Sequence, residues 1–268
     1  SKIMNEMNTA PGQNTYELND FLNGTAVVKG KSIGTFYSYK YAGLSPVDGG
    51  PLFDDWEDRR SELVGLDKYN TYTRVLKASG QRDPDITGSI SNTFTYKQWR
   101  LGVQMNYSLG AKTRLFRMME DFVNGYSAES NVNRNLLKAW KKPGDELRTN
   151  VPAIMGQGSN GYNYYSYHWS ASASSDVVKI ADNAWTMYDY SDLRVVSADY
   201  LKLSSISLTY EFPKKILERW RLNRLALTLG ATNLHTFCNS KLKGQTPTQG
   251  GFSEIQLSDI PTYTIGLN

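Results

Sequence analysis

Between Ile86 and Leu109 the chain alternates with a period of two, twice over, across a two-residue break. Ile86, Gly88, Ile90, Asn92, Phe94 and Tyr96 take turns with Thr87, Ser89, Ser91, Thr93 and Thr95. After Lys97-Gln98, Leu101, Val103, Met105, Tyr107 and Leu109 take turns with Gly102, Gln104, Asn106, Ser108 and Gly110. Successive side chains of a strand point to opposite faces, so this spacing builds two long strands with one apolar, aromatic-ended face and one face of small polar groups. Such strands suit a transmembrane β-barrel, apolar toward lipid and polar toward the lumen. A half-exposed hairpin of a soluble β-sandwich alternates in the same way, so a single hairpin does not separate the two.

Recurrence and length favour the barrel. Ile206, Leu208, Tyr210 and Phe212 alternate with Ser205, Ser207, Thr209 and Glu211. Leu225, Leu227, Leu229 and Ala231 alternate with Ala226, Thr228, Gly230 and Thr232, and Tyr263, Ile265 and Leu267 with Thr264, Gly266 and Asn268. These runs approach the roughly 9–11 residues that a tilted strand needs to cross a bilayer. Soluble sheets more often use about 5–6. No run nears the roughly 18 apolar residues of a membrane helix. A mean hydropathy of −0.50 is compatible with a barrel, which hides its apolar residues in alternation. The 18 Tyr and 6 Trp suit interfacial girdles and adhesive loops. A net charge of +4 is too small to argue for nucleic acid, and the single Cys238 excludes an internal disulfide or a Cys-rich metal site.

Along the chain, strands are expected at Ser1–Met7, at Thr25–Val28 and Ile33–Tyr41 around the Lys29-Gly30-Lys31 turn, in the Ile86–Leu109 hairpin, and at Ala198–Phe212, Leu225–Phe237 and Pro261–Asn268. Roughly seven to ten barrel strands result. Asp48-Gly49-Gly50-Pro51 marks a turn, Arg114–Ser174 a long polar loop rich in Asn, Gly and Tyr, and Cys238–Asp259 another loop. Pro213–Asn223 is a turn with room for one helical turn at Lys214–Trp220. Barrels have short periplasmic turns and long extracellular loops. That places Lys97-Gln98 and Pro213–Asn223 at the periplasmic end, and the Asp54 region, Arg114–Ser174 and Cys238–Asp259 outside. No internal linker divides the chain, so 1–268 reads as one partial barrel domain. Ser1–Glu6 lacks the pattern of the secretory signal that an outer-membrane protein needs, so the expectation is that a signal was removed or that the chain is a piece of something longer.

Residues for catalysis are scarce, and no catalytic group or cofactor is assigned. Gly30-Lys31-Ser32 resembles the end of a phosphate loop, but Thr25 stands where that motif needs Gly. His168 and His235 have no Cys or His partner at metal-ligand spacing. Asp54, Asp55, Glu57 and Asp58 are oxygen donors suited to Ca²⁺, yet they lack the turn glycine of a calcium loop and adjoin Arg59 and Arg60, which fits a solvated charged loop better. Tyr162, Tyr164, Tyr165, Tyr167 and Trp169 form the one loop run with a functional look. Flat apolar rings with a polar handle stack on sugars or pack on a partner protein. Self-packing within the loop, or a place in an interfacial girdle, is the alternative.

Several segments resemble SusC/RagA-type TonB-dependent transporters in order and spacing. They are Val27-Val28-Lys29-Gly30-Lys31-Ser32-Ile33-Gly34-Thr35-Phe36-Tyr37 with Tyr41–Leu44 and Gly50–Phe53; Trp140–Asp145 with Val151-Pro152; Ser197–Leu203 with Ile206–Tyr210 and Phe212–Lys215; and Asn233-Leu234. The resemblance implies an all-β fold: the C-terminal portion of a large antiparallel transmembrane barrel of about 22 strands with long extracellular loops and a plug in its lumen. This chain would be the last third, with the plug, the TonB box and the early strands elsewhere. Family members usually end on an aromatic residue a few positions beyond the motif in Tyr263–Asn268; this chain stops at Asn268. The implied activity is TonB-driven import of a polar oligomeric nutrient, glycan or oligopeptide, without covalent catalysis. The implied partners are a SusD-like surface lipoprotein, the TonB complex acting through the N-terminal region, the remaining barrel and plug, and the lipid of a Bacteroidota-type outer membrane. The rivals are a passive porin and a soluble all-β carbohydrate-binding module.

Overall fold

A computed structural model describes residues 16–54, 56, 59–119, 132–170, 177–181, 183–242, 245–247 and 260–268, with the side chains of 167–170 excepted. In chain order its elements are α1 (Leu18–Asn23), β1 (Thr35–Ser38), β2 (Tyr41–Leu44), β3 (Pro51–Phe53), α2 (Lys68–Val75), β4 (Lys77–Gln81), β5 (Ile86–Tyr96), β6 (Trp99–Leu109), β7 (Lys112–Arg114), α3 (Asn160–Ser170), α4 (Ala184–Asp189), β8 (Val195–Ser197), β9 (Tyr200–Glu211), α5 (Lys214–Trp220), β10 (Ala226–Cys238) and β11 (Thr262–Leu267). The chain divides into two compact units: residues 1–83, 112–196 and 251–254, and residues 84–111, 197–250 and 255–268.

The second unit is one antiparallel five-stranded sheet in the order β11-β10-β9-β6-β5. Its register converts the period of two into continuous rows. Tyr96, Trp99, Tyr210, Leu227 and Leu267 lie side by side, as do Phe94, Leu101, Leu208, Leu229 and Ile265, and then Asn92, Val103, Ile206, Ala231 and Tyr263. The opposite face carries the rows Thr95-Arg100-Thr209-Thr228-Gly266, Thr93-Gly102-Ser207-Gly230-Thr264 and Ser91-Gln104-Ser205-Thr232-Thr262. Among the described residues the apolar face is open: Ile265 is 79% exposed, Tyr263 73% and Phe94 61%. A contiguous exposed apolar face of this extent marks a surface made for lipid or a partner.

Two details hold the register. Leu203 and Ile206 both face the apolar side although three residues apart, because the pairing shifts at Ser204 against both β6 and β10. On β10 the shift lies between Thr232 and His235, where Asn233 has φ +54°. Asn tolerates that left-handed backbone better than most residues and so lets the strand bulge. The Asn233-Leu234 segment singled out in the sequence is therefore a bend. At the other end of the hairpin the Gly110 N–H donates to Asp199 Oδ1 at 2.6 Å, and the Ala198 N–H to the Ala111 carbonyl at 2.9 Å. The long excursion between β6 and β9 thus leaves and returns at one tied point.

The first unit corrects several expectations. The barrel-type sheet has five strands among the described residues, fewer than seven to ten, because the short strands pair off as β1-β4, β2-β3 and β7-β8 around an aromatic core. Thr25–Val28 is not a strand. Glu17 and Asp20 cap α1 reciprocally, and Gly24 at φ +73° reverses the chain, so that the N–H groups of Thr25 and Ala26 both donate to the Asp20 carbonyl. Arg114–Ser174 is not all loop, since α3 lies within it. Ser1–Met7 and the loop after Leu242 fall largely outside the described residues.

At the centre of this unit Phe21 meets the rings of Tyr37, Tyr69 and Tyr72 edge-on at 5.4–5.9 Å between centroids. Beside it sits Arg114, 2% exposed, between the Phe36 and Tyr190 rings. Its guanidinium donates to the carbonyls of Leu22 and Tyr37 and to Ser38 Oγ, each at 2.8 Å. Burial pulls its pKa down to about 10, so it stays protonated at neutral pH.

Candidate functional site

The Tyr-rich run is a helix. Ser159 starts α3 by accepting the Tyr162 N–H on Oγ at 3.2 Å and the Asn163 N–H on its carbonyl at 2.9 Å. Tyr162 and Tyr165, three apart, share a face. Tyr162 stacks on Trp185 of α4 (5.0 Å between centroids, 17° between planes), and Tyr165 meets the same indole edge-on at 6.2 Å. Trp185 is fully buried and donates from Nε1 to the Ala153 carbonyl at 3.2 Å. Asn183 caps α4 by accepting the Thr186 N–H. Two of the five candidate aromatics thus pack on the Trp185 ring. Tyr164 is different: it is 59% exposed and meets the ring of Tyr165 edge-on at 5.0 Å. The side chains of Tyr167 and Trp169 lie outside the described residues.

Tyr165 also anchors the Asp48–Pro51 turn. Its hydroxyl donates to Asp48 Oδ1 at 2.8 Å. Burial raises the pKa of this phenol to about 12, so it remains a donor. Burial alone would raise Asp48 as well, but hydrogen bonds from Ser45, Tyr165 and the Gly50 N–H outweigh it and hold the carboxyl below its usual range. Both glycines of the turn are forced by rings. A Cβ on Gly50 would stand 2.1 Å from the Tyr165 ring, and one on Gly49, at φ +72°, would stand 2.3 Å from Trp140. Gly50→Ala is expected to cost about 1–3 kcal/mol by overpacking and to loosen α3. Trypsin or chymotrypsin cleavage within 132–170 of the variant measures it, and a wild-type cleavage rate contradicts this packing.

Trp140 closes the arrangement. Its Nε1 donates to Glu146 Oε2 at 3.0 Å, the Gly144 N–H donates to the same oxygen, and the N–H groups of Lys141 and Lys142 donate to Asp145 Oδ2. The Trp140–Asp145 segment is therefore a self-bonded loop that presents an indole to the Gly49 turn. Between them opens a cleft of about 630 Å³, lined by Val47, Asp48, Leu136, Trp140, Ile154 and Met155 and edged by Lys141 and Ser159. Val47 (79%) and Ile154 (49%) are exposed on its rim. An apolar wall with one carboxylate and one ammonium is equipment for recognition. The exposed Tyr164 lies on the helix that begins at this rim. Reasoning from sequence picked out the Tyr run, as a loop, but missed the cleft, although the Gly49-Gly50 pair between Asp48 and Pro51 was its visible mark.

Of the four carboxylates proposed for Ca²⁺, only Asp54 is described, and it pairs with Lys40 at 3.6 Å. Among the described residues no three His, Cys, Asp or Glu side chains are placed to share a metal ion. No helix among them is long and apolar enough to cross a membrane, a statement that does not bear on crossing by strands.

No protein-family profile matches the chain. In sequence it is 21% identical over 266 residues to TonB-dependent receptor P3 of Formosa agariphila, covering 90% of this chain and 22% of that protein. In fold it resembles the RagAB peptide importer in its open-open state (TM-score 0.54) and its closed-closed state (0.57), and the RagAB peptide transporter (0.55), each at 20% identity over 87% of this chain and 22% of the other. The chain therefore spans about a fifth of the length of its relatives, less than the third that motif order suggested. These relatives are receptors and transporters, not enzymes. By sequence and by fold the chain is SusC/RagA-like, resembling a segment of a TonB-dependent transporter of the Bacteroidota outer membrane.

Proposed function

We propose that this chain supplies barrel wall and an external recognition unit to a TonB-dependent importer, whose plug, TonB box and remaining strands belong to the rest of the protein. The observation that carries the reading is the five-stranded sheet with one exposed apolar face and one face mainly of Ser, Thr, Gly, Asn and Gln, with Arg100 and Lys202 toward its ends. Its two edge strands support it: β5 pairs only with β6, and β11 only with β10, among the described residues. Unpaired edge groups are not tolerated in hydrocarbon, so further strands must complete the sheet.

The cargo in this reading is a polar oligomer. Hydroxyls and amides on the lumen face exchange hydrogen bonds with peptide backbone or sugar alike. The peptide cargo of the RagAB proteins supports an oligopeptide, and a SusD-like lipoprotein lid over the external unit goes with it. The cleft at Trp140 and the exposed Tyr164 are the contact candidates for lid or cargo. Uptake of a fluorescent oligopeptide mixture by cells carrying the parent gene is expected to stop on deletion of the gene and on collapse of the proton gradient. Uptake that survives the protonophore points to a passive porin, and uptake of labelled glycan alone reassigns the cargo. A parent protein that stays folded without detergent would leave only the soluble binding module.

A further inference from the structure

We infer that the β9–β10 connection is a binding site for anionic phospholipid headgroups at the short-turn end of the sheet, an inference that rests on the membrane-barrel reading above. The connection is α5 with its flanks. Leu217 is buried and holds the helix down, while Lys214, Lys215, Arg219, Trp220, Arg221 and Leu222 are exposed. Arg224 is occupied with Glu211 at 3.5 Å. Lys214, Lys215, Arg219 and Arg221 have no ion-pair partner among the described residues.

Placement identifies the ligand. Rings run in unbroken contact from the apolar face of the sheet onto this helix: Trp99 to Tyr210 at 4.7 Å, Tyr210 to Phe212 at 5.1 Å and Phe212 to Trp220 at 6.2 Å. Trp220, 54% exposed, therefore continues the surface assigned to lipid, at the end where Tyr96, Trp99 and Tyr210 form an aromatic row. Tyr and Trp rings settle at headgroup depth, and the cations around them then stand at the level of the phosphates. Guanidinium groups match phosphate oxygens in pairs, and ammonium groups add point charge. Lys97, over the Tyr96 ring at 5.2 Å, brings one more cation to this end. Short turns face the periplasm in such barrels, so the lipid is a phospholipid of the inner leaflet.

The test uses the purified parent protein in detergent micelles and native mass spectrometry with added phosphatidylglycerol or, separately, phosphatidylcholine. Phosphatidylglycerol adducts are expected to survive on the wild type and to fall at least tenfold when Lys214→Gln, Lys215→Gln, Arg219→Gln and Arg221→Gln are combined, each cation near an anionic surface contributing about fivefold in affinity. Arg224→Gln is expected to change little, since that cation is already paired. Trp220→Gln alone, with all four cations kept, gives a smaller loss and serves where the quadruple variant folds poorly. Equal retention of phosphatidylglycerol by wild type and quadruple variant overturns the inference, as does a wild type that holds the two lipids equally. The heat-dependent gel shift of a folded barrel separates the two levels. An intact barrel without lipid preference removes only this site, whereas a parent with no such shift and no need of detergent removes the barrel reading with it.

Discussion

Replacing Ile206 with Arg is expected to destabilise the assembled barrel by about 2–4 kcal/mol, whereas Gln104→Arg leaves it within about 0.5 kcal/mol. The two positions are close: Gln104 pairs with Ser205, the residue next to Ile206. They differ in face. Ile206 lies near the middle of β9 in the row of Val103, Ala231 and Tyr263, so in the barrel proposed above its side chain would meet lipid close to the bilayer midplane, where a guanidinium cannot reach water without distorting the membrane. Gln104 is exposed on the opposite face among Ser91, Ser205 and Thr232, where water is at hand. Urea titration of the parent refolded into vesicles measures both variants. A reversed order of the two costs would sink the assignment of faces.

Asp189→Ala is expected to destabilise the first unit by about 3–5 kcal/mol. Asp189 is 1% exposed; its carboxylate accepts the N–H groups of Met118 (2.9 and 3.0 Å) and Met119 (2.7 Å) and stands 3.4 Å from Arg194 Nε, a residue itself buried. Removing the carboxylate strands one buried cation and two buried amides in one step, and each uncompensated group carries its full desolvation cost. Lys40→Ala, which breaks the exposed pair with Asp54, is expected to cost only about 0–1 kcal/mol. Hydrogen exchange of a peptide covering residues 112–119 in the parent protein reads the difference. The Asp189 variant should lose protection by two or more orders of magnitude, on the scale of about 1.4 kcal/mol per factor of ten. A loss no larger than that of Lys40→Ala contradicts the account.

The sheet was legible because one physical rule writes it. A strand between lipid and water must alternate, and β5, β6, β9, β10 and β11 all do. Even the lapse at Leu203-Ser204-Ser205-Ile206 proved a bulge. The first unit follows no such rule. Its core is built from Phe21, Tyr37, Tyr72, Trp185 and Tyr188, brought together from separate stretches by loops that carry no period. The helices α1, α2 and α4 are short, and their only local marks are caps: Glu17 with Asp20, Asp67 accepting the Asn70 N–H, and Asn183 accepting the Thr186 N–H. The Tyr run was taken for a loop because Tyr and Asn carry little helical preference of their own. What fixes the helix is tertiary, through Trp185 and Asp48. Tyr162 and Tyr165 belong to the packing for the same reason, which leaves Tyr164 as the described candidate turned outward.

The tie between Gly110 and Asp199 has a consequence for how such proteins diversify. Strands β6 and β9 are hydrogen-bonded neighbours over most of their length, and the chain that departs at one and rejoins at the other is clamped at its root. Whatever is inserted there meets its two ends already side by side, so the loss of chain freedom on closing the loop is largely covered by the sheet and grows only slowly with insert length. The core that this excursion joins draws on Phe21, Tyr37 and Tyr72 from before β5 as well as on Trp185 and Tyr188 from within it, so an exchange between relatives would have to carry both stretches together while the sheet stayed as it is.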